Sequence, residues 1–88
     1  MNLKPPEAIL GPLSVEIRFF LIPPKSCPKG RHYPSVRPDV DNLAKLILDC
    51  LQPDIMHDDC QVVSLLTSKE YSSQPGVLII IKRMDPLP

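Results

Sequence analysis

The stretch from residue 37 to residue 59, RPDVDNLAKLILDCLQPDIMHDD, constrains the fold more than any other part of the chain. Its apolar residues recur at the i, i+3, i+4, i+7 spacing of a helix with one buried stripe. Pro38 precedes this pattern and Pro53 ends it, because proline suits a helix start but not a helix interior. The stretch therefore predicts one amphipathic helix. We assign to its apolar stripe Val40, Leu43, Ala44, Leu46, Ile47, Cys50 and Leu51.

Six of the chain's ten acidic residues also fall in this stretch. Asp39 and Asp41 stand at the helix start, where an acid commonly caps a helix and complements its dipole. Capping needs only one of the two, and Asp58 and Asp59 follow just before a predicted strand. Carboxylates from a helix start and a strand start can converge in a fold, and Mg²⁺ prefers carboxylate oxygens. The pattern predicts a divalent-metal site, although an Asp-Asp pair after a helix is also a common solvated turn.

Lys45 lies one helical turn beyond Asp41 on the same face of the predicted helix. An ammonium at this position can stabilise charge that develops on a phosphate. A calcium loop of the EF-hand type does not fit. That loop needs glycine at its sixth position, and Ala44 stands there when Asp39 is counted as the first.

The sequence R-P-D-V-D-N-L-A-K-L-I-L-D-C-L, then H-D-D-C-Q-V-V, then a lysine in the following strand, resembles the RusA family of Holliday-junction resolvases. The resemblance covers roughly residues 11–83. It implies that Asp39, Asp41 and Asp59 are metal-binding carboxylates and that Lys45 is a functional lysine. These four residues would then be catalytic, with Mg²⁺ or Mn²⁺ as the cofactor. Members of this family usually begin with another strand and helix, so the resemblance implies a chain shortened at its N-terminus, with an open sheet edge.

The resemblance further implies a metal-dependent endonuclease that cuts four-way DNA junctions in recombination and repair. Because resolution requires two symmetric cuts, it implies a homodimer. Two alternatives stay open: a catalytically incomplete DNA-binding remnant of such a resolvase, and a small metal-binding or protein-interaction module. A nuclease assay with and without Mg²⁺ separates the first function from the other two, and a junction-binding assay separates the remaining pair.

Residues 23–38 form a predicted proline-rich basic loop that leads directly into the acidic helix start. A loop of this kind is commonly a mobile surface connection. Here four cations occur without any acid, which predicts contact with the DNA backbone. The chain's formal net charge of +0 argues against a general nucleic-acid coat protein. The predicted DNA-binding residues are Lys25, Lys29, Arg31 and Arg37.

Outside this region the sequence predicts three strands and an irregular N-terminal segment. Alternation of apolar and polar residues indicates a strand over residues 13–22, a second is predicted over 61–71 and a third over 77–84. The third strand is apolar on both faces, which is typical of a central or interface strand. Residues 72–76 are short enough for a hairpin loop, and residues 1–12 contain too many prolines and glycines for a regular element.

Together these elements predict a single small domain over residues 1–88, of the α+β class. Its sheet would be small, mostly antiparallel or mixed, in the order strand, helix, strand, strand, and covered by one main helix. The open edge and the apolar third strand predict a dimer.

The chain has three cysteines, at positions 27, 50 and 60. An odd number does not form a disulfide framework and suits a reducing compartment, so the expected location is the cytoplasm. We expect Cys50 to pack as a small apolar residue. Cys50, His57 and Cys60 match no standard zinc spacing, and a fourth ligand is missing. The sequence shows no signal peptide, and its apolar runs are shorter than the ~18 residues of a membrane span.

Overall fold

The structure is a computed structural model and describes residues 7–26, 29–30 and 32–85. Its elements follow the predicted order strand, helix, strand, strand, and a short 3-10 turn precedes the second strand. The element bounds are β1 Leu13–Leu21, α1 Val40–Leu51, the 3-10 turn Asp59–Gln61, β2 Val62–Tyr71 and β3 Gly76–Arg83. One helix on one three-stranded sheet confirms the α+β prediction.

Strand β1 is the central strand of a mixed sheet with the order β2-β1-β3. It pairs in parallel with β2 and antiparallel with β3. Its alternating side chains put Leu13, Val15, Ile17 and Phe19 on one face, where each is at most 4% exposed. Strand β1, helix α1 and strand β2 therefore form a β-α-β unit, and β3 is added along the other edge of β1.

Helix α1 covers this buried face of β1 through a narrower stripe than the sequence predicted. Ala44 is buried, and Leu48, which the prediction left out, packs against the core. Leu46 is 60% exposed and Cys50 is exposed, so both assignments to the stripe were wrong. Each residue turns a helix by about 100°, and the contacting positions follow a tighter i, i+3, i+4 pattern that leaves Leu46 and Cys50 to one side. The partly buried members of the stripe are Val40, Leu43, Ile47, Leu48 and Leu51.

The predicted hairpin between the second and third strands does not form. Strands β2 and β3 lie on opposite sides of β1, so the four residues between them cross the end of that strand. The Ser72 N–H donates to the Leu21 carbonyl at 2.8 Å, and Gly76 pairs with Phe20. A short connection in sequence therefore did not require pairing of the strands that it joins. Of the two positions predicted for the apolar third strand, central or at an interface, the central one is wrong, because β3 is an edge strand.

The sheet face opposite α1, which we call the open face, carries apolar side chains from all three strands. In the register, Glu16 has Leu66 on one side and Ile80 on the other. Leu66, Leu78 and Ile80 are 63%, 42% and 36% exposed. Arg18 also lies on this face and has Leu78 as its β3 neighbour. The open face therefore leaves apolar area from neighbouring strands in contact with solvent.

Two side-chain contacts order the polar part of the open face. The Arg18 guanidinium donates to the Glu70 carboxylate at 2.6 Å, and its carbon lies 5.3 Å from the centre of the Phe20 ring. Because the two side chains of the ion pair are 41% and 25% exposed, solvent screens their attraction only in part.

Within the described residues, no helix is long and apolar enough to cross a membrane.

Candidate metal and DNA site at the two ends of helix α1

The start of α1 places two acidic residues two positions apart in sequence, and neither side chain caps the helix. Asp39 is the N-cap residue in an extended conformation, and its carbonyl accepts from the Leu43 N–H at 3.1 Å. Its side chain makes no capping hydrogen bond. Asp41 lies in the first turn, where its carboxylate accepts from the Asn42 N–H at 3.0 Å. Both carboxylates lie at the positive end of the helix dipole, which favours negative charge.

Lys45 lies one turn along the same exposed face, as the sequence predicted. Its ammonium is 3.8 Å from the Asp49 carboxylate, and the two side chains are 73% and 55% exposed. An exposed i, i+4 pair of this kind contributes only about 0.3–0.5 kcal/mol. The ion pair therefore holds Lys45 weakly, and a phosphate near Asp41 can compete for the ammonium.

The described part of the basic loop is fastened beside the end of β2. The Tyr71 N–H donates to the His32 carbonyl at 2.9 Å, and Pro34 is buried. The Lys69 ammonium donates to the carbonyls of Val36 at 2.6 Å and Pro38 at 2.9 Å. The loop is therefore attached to the sheet up to the residue before Asp39.

Three of the four predicted DNA-binding residues fall in the described part of this loop. Lys25, Lys29 and Arg37 are exposed. Arg31 lies outside the described residues. Arg37 is two residues before Asp39, so a cation and a carboxylate stand almost adjacent at the start of α1.

The acidic residues after the helix are held by the turn before β2. Asp58 caps the 3-10 turn: its carboxylate accepts from the Cys60 N–H at 2.9 Å. This hydrogen bond from the Cys60 backbone lowers the pKa of the Asp58 carboxyl. A side-chain hydrogen bond to Asp58 raises the pKa of the Cys60 thiol, which disfavours the thiolate that a zinc ion requires. Asp59 is the first residue of the 3-10 turn and is exposed.

Gln61 joins this turn to the N-terminal segment, a role that was not predicted from the sequence. Its side-chain oxygen accepts from the N–H groups of His57 at 2.9 Å and Asp58 at 3.1 Å. Its side-chain nitrogen donates to the carbonyls of Ile9 at 2.9 Å and Gly11 at 3.0 Å. The available signal was the Asp-x-x-Gln spacing, which is that of a capping box.

The two groups of acids lie at opposite ends of the β-α-β unit. The start of α1 is tied to Lys69, near the end of β2. The end of α1 leads to Met56, which bridges to Ile9 just before β1. Asp59 lies just before Val62, the first residue of β2. Lys69 follows Val62 by seven residues, and seven strand residues span about 23 Å. Because α1 runs antiparallel to β2, Asp59 and the acids at the helix start lie far apart within a single copy of the chain.

The expectation that these carboxylates converge within one chain is therefore not met. No group of three or more His, Cys, Asp or Glu side chains among residues 7–26, 29–30 and 32–85 is placed to hold a metal ion. The chemistry of the predicted ligands, Asp39, Asp41 and Asp59, suits a hard divalent cation, since all are carboxylates. Their arrangement in a single copy does not complete its coordination.

Comparison with known proteins identifies the family. The family model described as Endodeoxyribonuclease RusA matches residues 1–82. The chain therefore belongs to the RusA endodeoxyribonuclease family, as its motifs indicated. It is also 36% identical over 91 residues to the uncharacterized protein YqaN of Bacillus subtilis (strain 168), an alignment that covers 92% of this chain and 64% of that protein. No solved structure matches the chain.

Proposed function

We propose that this protein is a metal-dependent endonuclease that resolves four-way DNA junctions in recombination and repair, and that it acts as a homodimer. Family membership supports the class of reaction. The observation that carries the proposal is the division of the acids between the two ends of one β-α-β unit. One chain does not bring the three carboxylates together, but a second copy whose strands run in the opposite direction would do so.

A two-fold axis perpendicular to the sheet and beside its edge strand β2 would supply the missing ligand. Such an axis places the start of β2 in one copy beside the start of α1 in the other copy. Asp39 and Asp41 of one copy then meet Asp59 of the other, and the symmetry produces two equivalent sites. Two sites related by a two-fold axis fit a substrate that needs two symmetric cuts.

Each predicted residue has a distinct role in this proposal. Asp39, Asp41 and Asp59 hold Mg²⁺, or Mn²⁺ in its place, and a bound ion supplies the Lewis acid that activates water and neutralises the phosphate. Lys45 turns from Asp49 towards the phosphate and stabilises its developing charge.

The basic loop binds the DNA backbone without reading its sequence, because its cations contact phosphates. Its proposed contacts are Lys25, Lys29, Arg31 and Arg37. Its attachment beside Asp39 brings the bound strand towards the acids.

Replacement of Asp41 by Asn separates cutting from binding. The amide keeps the shape of the side chain but removes one charge and one strong ligand, so cleavage should fall by more than about 100-fold, given that even outer-shell changes at metal sites cost 10–100-fold. Junction binding should persist or tighten, because it depends on the loop. Binding should weaken steeply with salt, as release of counterions requires.

Neutralisation of Arg31 and Arg37 is the complementary variant and should reduce binding and flatten the salt slope while Mn²⁺ affinity stays near that of the parent. Cleavage by the Asp41→Asn variant at the parental rate would contradict the proposal, as would a parent that never binds junctions. A parent that binds junctions but never cuts them with Mg²⁺ or Mn²⁺ would instead support the second candidate, a DNA-binding remnant, which is favoured by the incomplete set of ligands in one chain.

A further inference from the structure

The contact between Lys69 and the basic loop is not explained by the stability of the helix beside it. Lys69 lies on β2, where it pairs in register with Phe19 on the helix-covered face. Its ammonium approaches the N-terminal end of α1 through the Pro38 carbonyl. That end of a helix carries partial positive charge and favours anions, so a cation there does not stabilise the helix dipole.

The two carbonyls that Lys69 contacts flank one residue, Arg37. The distances from the ammonium are 2.6 Å to the Val36 oxygen and 2.9 Å to the Pro38 oxygen. With the backbone held on both sides, Arg37 has little freedom to move its Cα, and Asp39 follows directly. A lysine on a strand thus fixes a cation and a carboxylate relative to the sheet.

We propose that Lys69 is a positioning residue that sets the placement of Arg37 relative to Asp39. This inference rests on the proposed function, in which Arg37 holds a DNA phosphate and Asp39 holds the metal ion. Lys69 itself contacts neither the metal nor the DNA. It keeps the bound phosphate in line with the acids, so that a phosphate bound through Arg37 is also the one that is cut.

The experiment uses the full chain and three single variants: Lys69→Met, Lys69→Arg and Lys82→Met. Lys82→Met is the matched control, since it removes one exposed lysine from strand β3. We expect Lys69→Met to lower kcat on a junction about tenfold or more, because small misplacements of reacting groups cost this much. Lys69→Arg, which can still donate to two carbonyls, should recover part of the loss. Lys82→Met should cut like the parent.

A double-mutant cycle with Arg37→Gln separates positioning from direct contact with DNA. If Lys69 acts through Arg37, Lys69→Met should weaken junction binding in the parent but add little in the Arg37→Gln background. If Lys69 binds phosphate itself, the two losses add and the salt slope falls by a further charge, which overturns the inference. Mn²⁺ affinity measured without DNA should fall several-fold in Lys69→Met and stay parental in Lys82→Met.

Failure of this inference can be distinguished from failure of the proposed function. If the parent cuts junctions and folded Lys69→Met cuts equally well, the positioning role is wrong and the proposed function stands. If the parent neither binds nor cuts junctions, the proposed function fails. Hydrogen exchange at the Tyr71 amide, which donates to His32 in the loop, then tests whether Lys69 holds the loop on the sheet. Faster exchange in Lys69→Met supports it, and unchanged exchange overturns it. Should Lys69→Met not fold, the comparison of Lys69→Arg with Lys82→Met decides, since only the former should alter kcat.

Discussion

The two ends of the β-α-β unit hold their acidic residues by different means. At the start of α1, Asp39 and Asp41 follow a loop that the sheet holds through Lys69, and solvent reaches these contacts. At the start of β2, Asp59 lies in a turn that Gln61 fastens through its own side chain to four backbone groups. The first end is therefore fixed by one exposed ammonium with two backbone partners, and the second by one amide with four.

This difference is consistent with the division of roles that we propose. In that proposal the first end places two of the three carboxylates beside the DNA-binding loop, so the contacts of Lys69 align a bound strand with these acids. An end that supplies one ligand to another copy gains from rigidity, since a metal ion tolerates little misplacement of its ligands.

The largest effect should come from mixing two inactive variants. Asp41→Asn and Asp59→Asn alone should each lose more than about 100-fold in cleavage. A mixed dimer combines the intact helix start of one copy with the intact Asp59 of the other, so one of its two sites is complete. Mixing should therefore restore nicking of one strand, measured on a labelled junction.

The control for this mixing experiment is Asp41→Asn mixed with Asp39→Asn. Both variants change the same end, so every site in the mixed dimer keeps a defect and no activity should return. Recovery in this control, or no recovery with Asp59→Asn in a sample proven to exchange subunits, would show that the two ends do not combine between copies.

A charge on the edge strand β2 should separate the two ends by dissociating the dimer. Leu66 lies near the middle of β2 and is 63% exposed in one copy, and the proposed axis beside β2 would bring the Leu66→Glu carboxylates of both copies together, where like charges repel. Sedimentation at micromolar concentration should show a monomer, and cleavage should be lost with it. The matched control is Leu78→Glu on β3, on the other side of β1, which should stay dimeric. Dissociation by Leu78→Glu alone would place the interface on the open face, where the two ends do not meet.

Gln61→Leu should destabilise the fold more than Lys69→Met, although each removes contacts from one end. Leucine leaves four backbone groups without their partner, which we expect to cost about 2 kcal/mol, or about 10 °C in Tm for a domain of this size. Lys69→Met should cost less than about 1 kcal/mol, because water replaces an exposed donor. Gln52→Leu, which removes a single hydrogen bond to Leu48, is the control and should have an intermediate or small effect. Thermal unfolding followed by circular dichroism measures all three.

The smallest effect concerns the dependence of folding stability on pH. The pKa of the Asp58 carboxyl is lower in the folded state because the Cys60 backbone N–H donates to it. Ionised Asp58 therefore contributes stability above its unfolded pKa, near 3.9, and this contribution is lost as the pH falls through the lower folded pKa. Asp58→Asn keeps an acceptor oxygen but cannot titrate.

The difference in unfolding free energy between the parent and Asp58→Asn should consequently shrink as the pH is lowered below about 4. Denaturant titrations at several pH values measure it. Asp85→Asn, after β3, serves as the control for the loss of a charge. A difference that grows on acidification would show that Asp58 is not a stabilising acceptor in its ionised form.

Local patterns were sufficient to predict the elements of this fold. The period of two in β1 and the period of 3.6 in α1 each arise from the backbone geometry of a single element, so they can be read from neighbouring residues. The family was likewise evident from a short motif, because Asp39, Asp41 and Lys45 lie within two turns of one helix.

The order of residues is enough to show which side chains are acidic, basic or apolar and which elements they occupy. The central place of β1, the crossing of residues 72–75 over its end and the separation of Asp59 from the helix start became visible only in the folded chain. These features depend on the direction in which α1 returns along the sheet, which no local pattern contains. The contacts of Lys69 with the loop, and those of Gln61 with Ile9 and Gly11, are of the same kind: they join residues more than 30 positions apart, and only packing brings such residues together.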